Sequence, residues 1–134
     1  MERRMESMKS AVNAYQTVQV DAAVLGAGPH ELIAKLLSGA IDTIVEARVD
    51  ILNEDIESKS QHIDIVISII SDGLRGSLNM DAGGELAQKL DSLYDYMLRR
   101  LVTAHAENDV SILDEVVLLL AEIKTGWDGI KDQI

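Results

Sequence analysis

Ile63-Asp64-Ile65-Val66-Ile67-Ser68-Ile69-Ile70 is rich in β-branched residues and admits two readings. Such residues favour strands. A half-buried strand alternates apolar and polar residues, however, and a strand buried on both faces is an unbroken apolar run. The polar breaks at Asp64 and Ser68 fit neither pattern. Ile63, Val66, Ile67, Ile70 and Leu74 instead stand at i, i+3, i+4, i+7 and i+11, which is one face of a helix. Ile65 and Ile69 form a second stripe beside it. The stretch therefore belongs to a helix over about 54–77, whose end is loosened by Gly73, Gly76 and Asn79.

The same period continues on both sides. Upstream, Pro29 suits a first helical position, where its missing N–H costs nothing, and Glu31 favours the positive end of the helix dipole. Leu32, Ile33, Leu36, Leu37, Ala40, Ile41, Ile44 and Val45 then keep the 3.6-residue period, so a helix is expected over about 29–52, with Asn53 as its stop. Downstream, Met80–Gly84 reads as a connection. A third helix over about 84–107 turns Leu86, Leu90, Leu93, Met97, Leu101 and Ala104 inward. Tyr94 and Tyr96 are about 200° apart on it, so one should pack inside and the other nearer the surface. Asn108-Asp109 ends this helix and caps a fourth over about 109–131, with Leu113, Val116, Val117, Leu120, Ile123 and Trp127 inward and Gly126 and Gly129 weakening its last turns.

Short links force neighbouring helices to run antiparallel, so the expected fold is all-α: an up-down four-helix bundle over residues 25–134. Residues 1–24 lack the strong period and read as a mobile N-terminal arm with room for one short helix.

Composition narrows the function. The 134 residues carry 12 Lys and Arg against 23 Asp and Glu, a net charge of −11, which argues against nucleic acid, itself a polyanion. No cysteine is present, so disulfide scaffolds, thiol catalysis and cysteine-ligated metals are excluded. The longest stretch free of Asp, Glu, Lys and Arg is Ser10–Val20, well short of the roughly 20 apolar residues of a membrane span. The charged start Met1–Glu6 has no apolar core behind it, so no signal peptide is expected, and the protein is expected to be cytoplasmic.

Helical bundles often hold metals, but the ligand patterns fail. None of His30, His62 and His105 has a glutamate three residues before it, as a di-iron bundle needs. His30-Glu31-Leu32-Ile33-Ala34 lacks the second histidine of a zinc protease helix. Gly83-Gly84 has no accompanying phosphate-binding motif and reads as a turn with close helix approach. The acidic cluster Asp50, Glu54, Asp55 and Glu57 does not match a calcium loop. No catalytic constellation is visible, so neither enzyme activity nor a cofactor or metal is expected. What is in excess is apolar surface. Val116-Val117-Leu118-Leu119-Leu120 points in all directions around its helix, more than a bundle core absorbs. Exposed apolar grooves imply a partner or an oligomer, including a homodimer of the free chain. A helical adaptor or anti-activator would meet that description as well.

Asn13-Ala14-Tyr15, Gly28-Pro29-His30-Glu31-Leu32-Ile33 and Gly39-Ala40-Ile41 resemble the opening of the flagellar secretion chaperone family FliS. Ser77-Leu78-Asn79-Met80-Asp81-Ala82-Gly83-Gly84-Glu85-Leu86-Ala87, Leu93-Tyr94-Asp95-Tyr96-Met97-Leu98-Arg99-Arg100-Leu101, Asp114-Glu115-Val116 and Trp127 extend the resemblance over about residues 11–128. Ala27-Gly28-Pro29 departs from the usual Ala-Ser-Pro, and Leu37-Ser38 replaces an aromatic-Asp pair before Gly39-Ala40. The resemblance implies an antiparallel helical bundle that binds the C-terminal region of flagellin in the cytoplasm. It implies that the bound region, disordered in the monomer, is held as helices, kept from premature polymerisation, and presented to the cytoplasmic domain of the flagellar export gate. Val12 and Tyr15 match the family's arm residues, which implies groove cover and export-gate docking. Periodicity supplies the candidate flagellin-binding groove: Ile65, Ile69, Leu98, Val102 and Leu119 lie off the most central stripes.

Overall fold

In the computed structural model, which describes residues 29–131, Pro29 opens the first helix, α1 (Pro29–Leu52), with Glu31 in its first turn. The chain then reverses tightly. Glu54 takes a left-handed φ of 57°, and Asp55 N donates to the Asp50 carbonyl at 2.9 Å. Asp55 caps α2 (Ile56–Ser68) by accepting from Ser58 N at 3.1 Å.

The helix does not stay regular to its end. Ile69–Arg75 is a π-helical segment, and Gly76 N donates five residues back to the Ser71 carbonyl at 3.1 Å. The wider turn gathers Ile69, Ile70, Gly73 and Leu74 on the buried side. Gly76 is required where the segment closes: a Cβ there would stand 2.2 Å from the Asp72 carbonyl oxygen.

Asn79 caps α3 (Met80–Glu107) by accepting from Ala82 N at 3.0 Å. Within α3, Gly84 takes φ 54° and ψ −134°, so the first turn sits at a kink from the rest. Gly83 lies so near the next turn that a Cβ would meet the Ala87 Cβ at 2.6 Å. Gly84 thus turns the chain, as read from the sequence, while the tight contact at Gly83 is with the next turn of α3 itself rather than with another helix. Asn108 ends α3 in the left-handed conformation, φ 53°. Lys59, 6% exposed, reaches across from α2 to donate to the His105 carbonyl at 3.1 Å and to Asn108 Oδ1 at 2.6 Å, which places a cation at the negative end of α3. The last helix is α4 (Val110–Lys131).

α1 packs on α2 and α4, and α3 packs on α4, α2 and the π segment; among the described residues the diagonal pairs do not approach one another. This is the expected up-down four-helix bundle. Its core runs through Leu37, Ile44, Val66, Ile70, Met97, Leu101, Leu113 and Leu120. Polar ties stitch the seams between neighbours. His62 bridges α2 to Asp50 (2.5 Å) and Glu46 (2.8 Å) of α1. Arg48 holds Asp114 of α4 at 2.9 Å, and Arg75 holds Asp91 and Asp95 of α3 at 2.7 and 3.3 Å. Tyr94 is buried and Tyr96 half-buried, as their spacing requires. The expected arm, residues 1–24, lies outside the described residues.

Candidate binding groove

α1 and α3 start, and α2 and α4 end, at one end of the bundle, so the inward stripes of all four helices run out there together. Leu32 and Ile33 of α1, Leu74 and Leu78, Leu86, Leu90 and Tyr94 of α3, and Ile123 and Trp127 of α4 enclose a groove of about 710 Å³. Leu86 shows how it arises. Eleven residues separate it from buried Met97, which places the two within about 20° on the helix. Leu86 therefore faces the bundle axis as expected, yet it is 61% exposed, because among the described residues no side chain covers it at this level. Tyr94 forms the floor. Burial pushes its hydroxyl up to about 12, so the phenol is neutral at any physiological pH.

One rim is closed by a reciprocal clasp. The His30 ring stacks on the Trp127 indole with centroids 4.6 Å apart and planes 11° from parallel. His30 Nε2 donates to the Trp127 carbonyl at 2.8 Å, and Trp127 Nε1 donates to the His30 carbonyl at 2.8 Å. A carbonyl only accepts, so Nε2 is the protonated nitrogen in this contact. The clasp joins the first turn of α1 to the last turns of α4. The sequence alone gives no sign of this clasp, because no local pattern links two residues 97 positions apart.

The five groove candidates from periodicity are distributed differently. Ile69 has no exposed surface and belongs to the core, because the π segment that begins with it turns its side chain inward. Val102 is 60% exposed, whereas Ile65, Leu98 and Leu119 are partly buried against the core. Leu98 and Val102 share a stripe of α3 with Asp91 and Asp95, which bind Arg75, so they border the α2–α3 seam. Leu119 lies one turn after Glu115, which binds Tyr96 and Arg100, and so borders the α3–α4 seam. Ile65 follows His62 by three residues on the side of α1. These residues line three seams rather than one groove, and none lines the groove at the bundle end. Val12 and Tyr15 lie outside the described residues.

Further apolar surface lies outward. Val45, Val49 and Leu52 form an exposed stripe along α1, with Leu118 exposed on α4. The polar seams between them are electrostatically settled: the Tyr96 hydroxyl, then the Arg100 guanidinium, hold the Glu115 carboxyl below the usual carboxylate range. Among the described residues no three His, Asp or Glu side chains converge as metal ligands, and no helix is long and apolar enough to cross a membrane.

Residues 11–134 match the family model described as flagellar protein FliS. The chain is 48% identical over 126 residues to the flagellar secretion chaperone FliSB of Pseudomonas aeruginosa, covering 94% of this chain and 98% of that protein. It is 40% identical over 121 residues to the flagellar secretion chaperone FliS of Salmonella typhimurium, covering 90% of each. Against the flagellar secretion chaperone FliS of Bacillus subtilis the identity is 32% over 121 residues, covering 90% of this chain and 86% of the relative. With the helical bundle and these full-length matches in agreement, the chain belongs to the FliS family of flagellar proteins.

Proposed function

We propose that the chain is a flagellar export chaperone that binds the C-terminal region of flagellin in the cytoplasm, prevents its premature polymerisation, and presents it to the cytoplasmic domain of the flagellar export gate. The observation that carries this reading is the groove at the bundle end, where inward-facing apolar side chains such as Leu86 meet no partner within the described residues. A cargo helix seated there buries the surface that the bundle leaves open. The outward stripe Val45, Val49 and Leu52, together with Val102 and Leu118, offers apolar area on other faces. A segment that wraps round the bundle uses all of it, whereas a single docked helix does not. Ile65, Leu98, Val102 and Leu119 are assigned to the seams such a cargo crosses. Val12 and Tyr15 are assigned to the arm that covers the groove and docks on the gate. The net charge of −11 keeps the exposed apolar surface soluble by mutual repulsion. No chemistry is asked of the chain, in keeping with relatives that are named as secretion chaperones.

Calorimetric titration with a peptide of the flagellin C-terminal region tests this. Binding should be tighter than tens of micromolar, about −6 to −7 kcal/mol. It should carry a large negative heat-capacity change, because coupled folding buries apolar area. Absence of binding at tens of micromolar would overturn the assignment.

A further inference from the structure

We propose that the last turns of α4 are an adjustable wall of the groove, with Trp127 as the side chain that meets the occupant and His30 as the positioning residue that holds the wall closed. The proposal rests on the groove being a docking site. Three observations carry it. Trp127 and His30 both line the groove and are tied to each other by stacking and by two hydrogen bonds of 2.8 Å. Between residues 124 and 129, Trp127 is the side chain that packs on the core. Lys124 pairs with Asp128 of its own helix, and the Thr125 hydroxyl bonds back to the Ala121 carbonyl. Finally, Trp127 stands between two glycines that packing does not require. A Cβ at Gly126 or Gly129 would meet nothing within 4 Å, and neither has a left-handed φ. Each lowers the local helix equilibrium about fivefold relative to alanine.

A weak helical end hung on one aromatic side chain can move without disturbing the core. The buried face of α4 ends its full packing at Leu120, and the wall lies beyond it. An occupant with a large apolar side chain then displaces the indole outward by giving up one clasp, while a smaller one sits under the closed wall. Wall position thus sets which side chains the groove accepts.

The test uses the full chain, with His30→Ala to release the wall and Gly126→Ala/Gly129→Ala to stiffen it. Amide hydrogen exchange over 124–129, acrylamide quenching of Trp127, the single tryptophan, and titration with the flagellin C-terminal peptide are measured on each. His30→Ala should speed exchange over 124–129 about tenfold and raise tryptophan quenching, with exchange over 112–120 changed far less. The double glycine variant should slow exchange over 124–129 about tenfold. It should also weaken peptide binding several-fold although the bundle is more stable, which a purely structural role for these residues does not produce. Unchanged or tighter peptide binding in the stiffened variant would overturn the proposal. So would exchange over 124–129 that is as slow as over 112–120 and indifferent to His30→Ala. If the parent chain fails to bind the peptide, the flagellin assignment falls, and the exchange and quenching results alone decide whether the wall moves.

Discussion

Ile69→Asp locates the boundary between core and binding surface. Ile69 opens the π segment, is 0% exposed, and sits in the main core cluster. The substitution removes a buried aliphatic side chain whose burial contributes about 1.5–3 kcal/mol. It also places a carboxylate among apolar core side chains, and Arg75, the cation of the same segment, is already bound to Asp91 at 2.7 Å. An unpaired buried charge costs about 3–5 kcal/mol. The sum, about 5–8 kcal/mol, is comparable with the whole stability of a domain, about 5–15 kcal/mol. At several degrees per kcal/mol for a chain of this size, the melting temperature should fall by about 15 °C or more. Val102→Asp is the matched control: its parent side chain is 60% exposed, so stability should change by no more than about 0.5 kcal/mol. Circular dichroism melts of the two variants, followed by titration of the folded one with the flagellin peptide, read both quantities. Val102→Asp should melt like the parent and bind the peptide more weakly. An Ile69→Asp protein that melts within about 3 °C of the parent, a loss of no more than about 1 kcal/mol, would refute the burial of the π segment.

Raising the pH tests the Tyr94 environment. Its folded-state value of about 12 lies above the unfolded value near 10, so the contribution is complete below about pH 10 and is lost as pH rises toward 12. Urea melts should lose on the order of 2–3 kcal/mol over that window, and Tyr94→Phe should remove the loss. Gly76→Ala sets a methyl group 2.2 Å from the Asp72 carbonyl oxygen; urea melts should show a loss of about 2 kcal/mol or more. Lys59→Met keeps the buried stem but removes the donors to the His105 carbonyl and Asn108; a loss of about 1–3 kcal/mol is expected, and an unchanged urea midpoint would dismiss the cap. Val12→Ala/Tyr15→Ala should leave the melting temperature and flagellin binding intact, while the loaded complex binds the gate's cytoplasmic domain about tenfold more weakly, about 1.4 kcal/mol. Unchanged gate affinity in that folded, loaded variant would remove the docking role from these positions.

The four helices and their order were legible in the sequence because their determinants are local. Apolar period, Pro29 at a first turn, Asn108-Asp109 between the last two helices and the Gly83-Gly84 break each act within about one turn of chain, whereas the capping roles of Asn79 and Asp55 emerge only in the structure. The exclusion of cysteine chemistry also needs only composition. The surface was another matter. Periodicity tells which face of a helix looks inward, but not whether another side chain stands opposite at the same level. Leu86 and Met97 look alike on the helical wheel, yet Leu86 is 61% exposed and Met97 is sealed, because the described helices do not pack across the bundle end as they do at its middle. An α-helical period sets Ile69 off the core, but the π segment does not obey that period. The His30–Trp127 clasp spans 97 residues, a distance over which a single sequence carries no physical signal. Local chemistry set the helices; the relative height and closure of those helices, which is a property of tertiary packing alone, decided where the groove lies and what holds its wall.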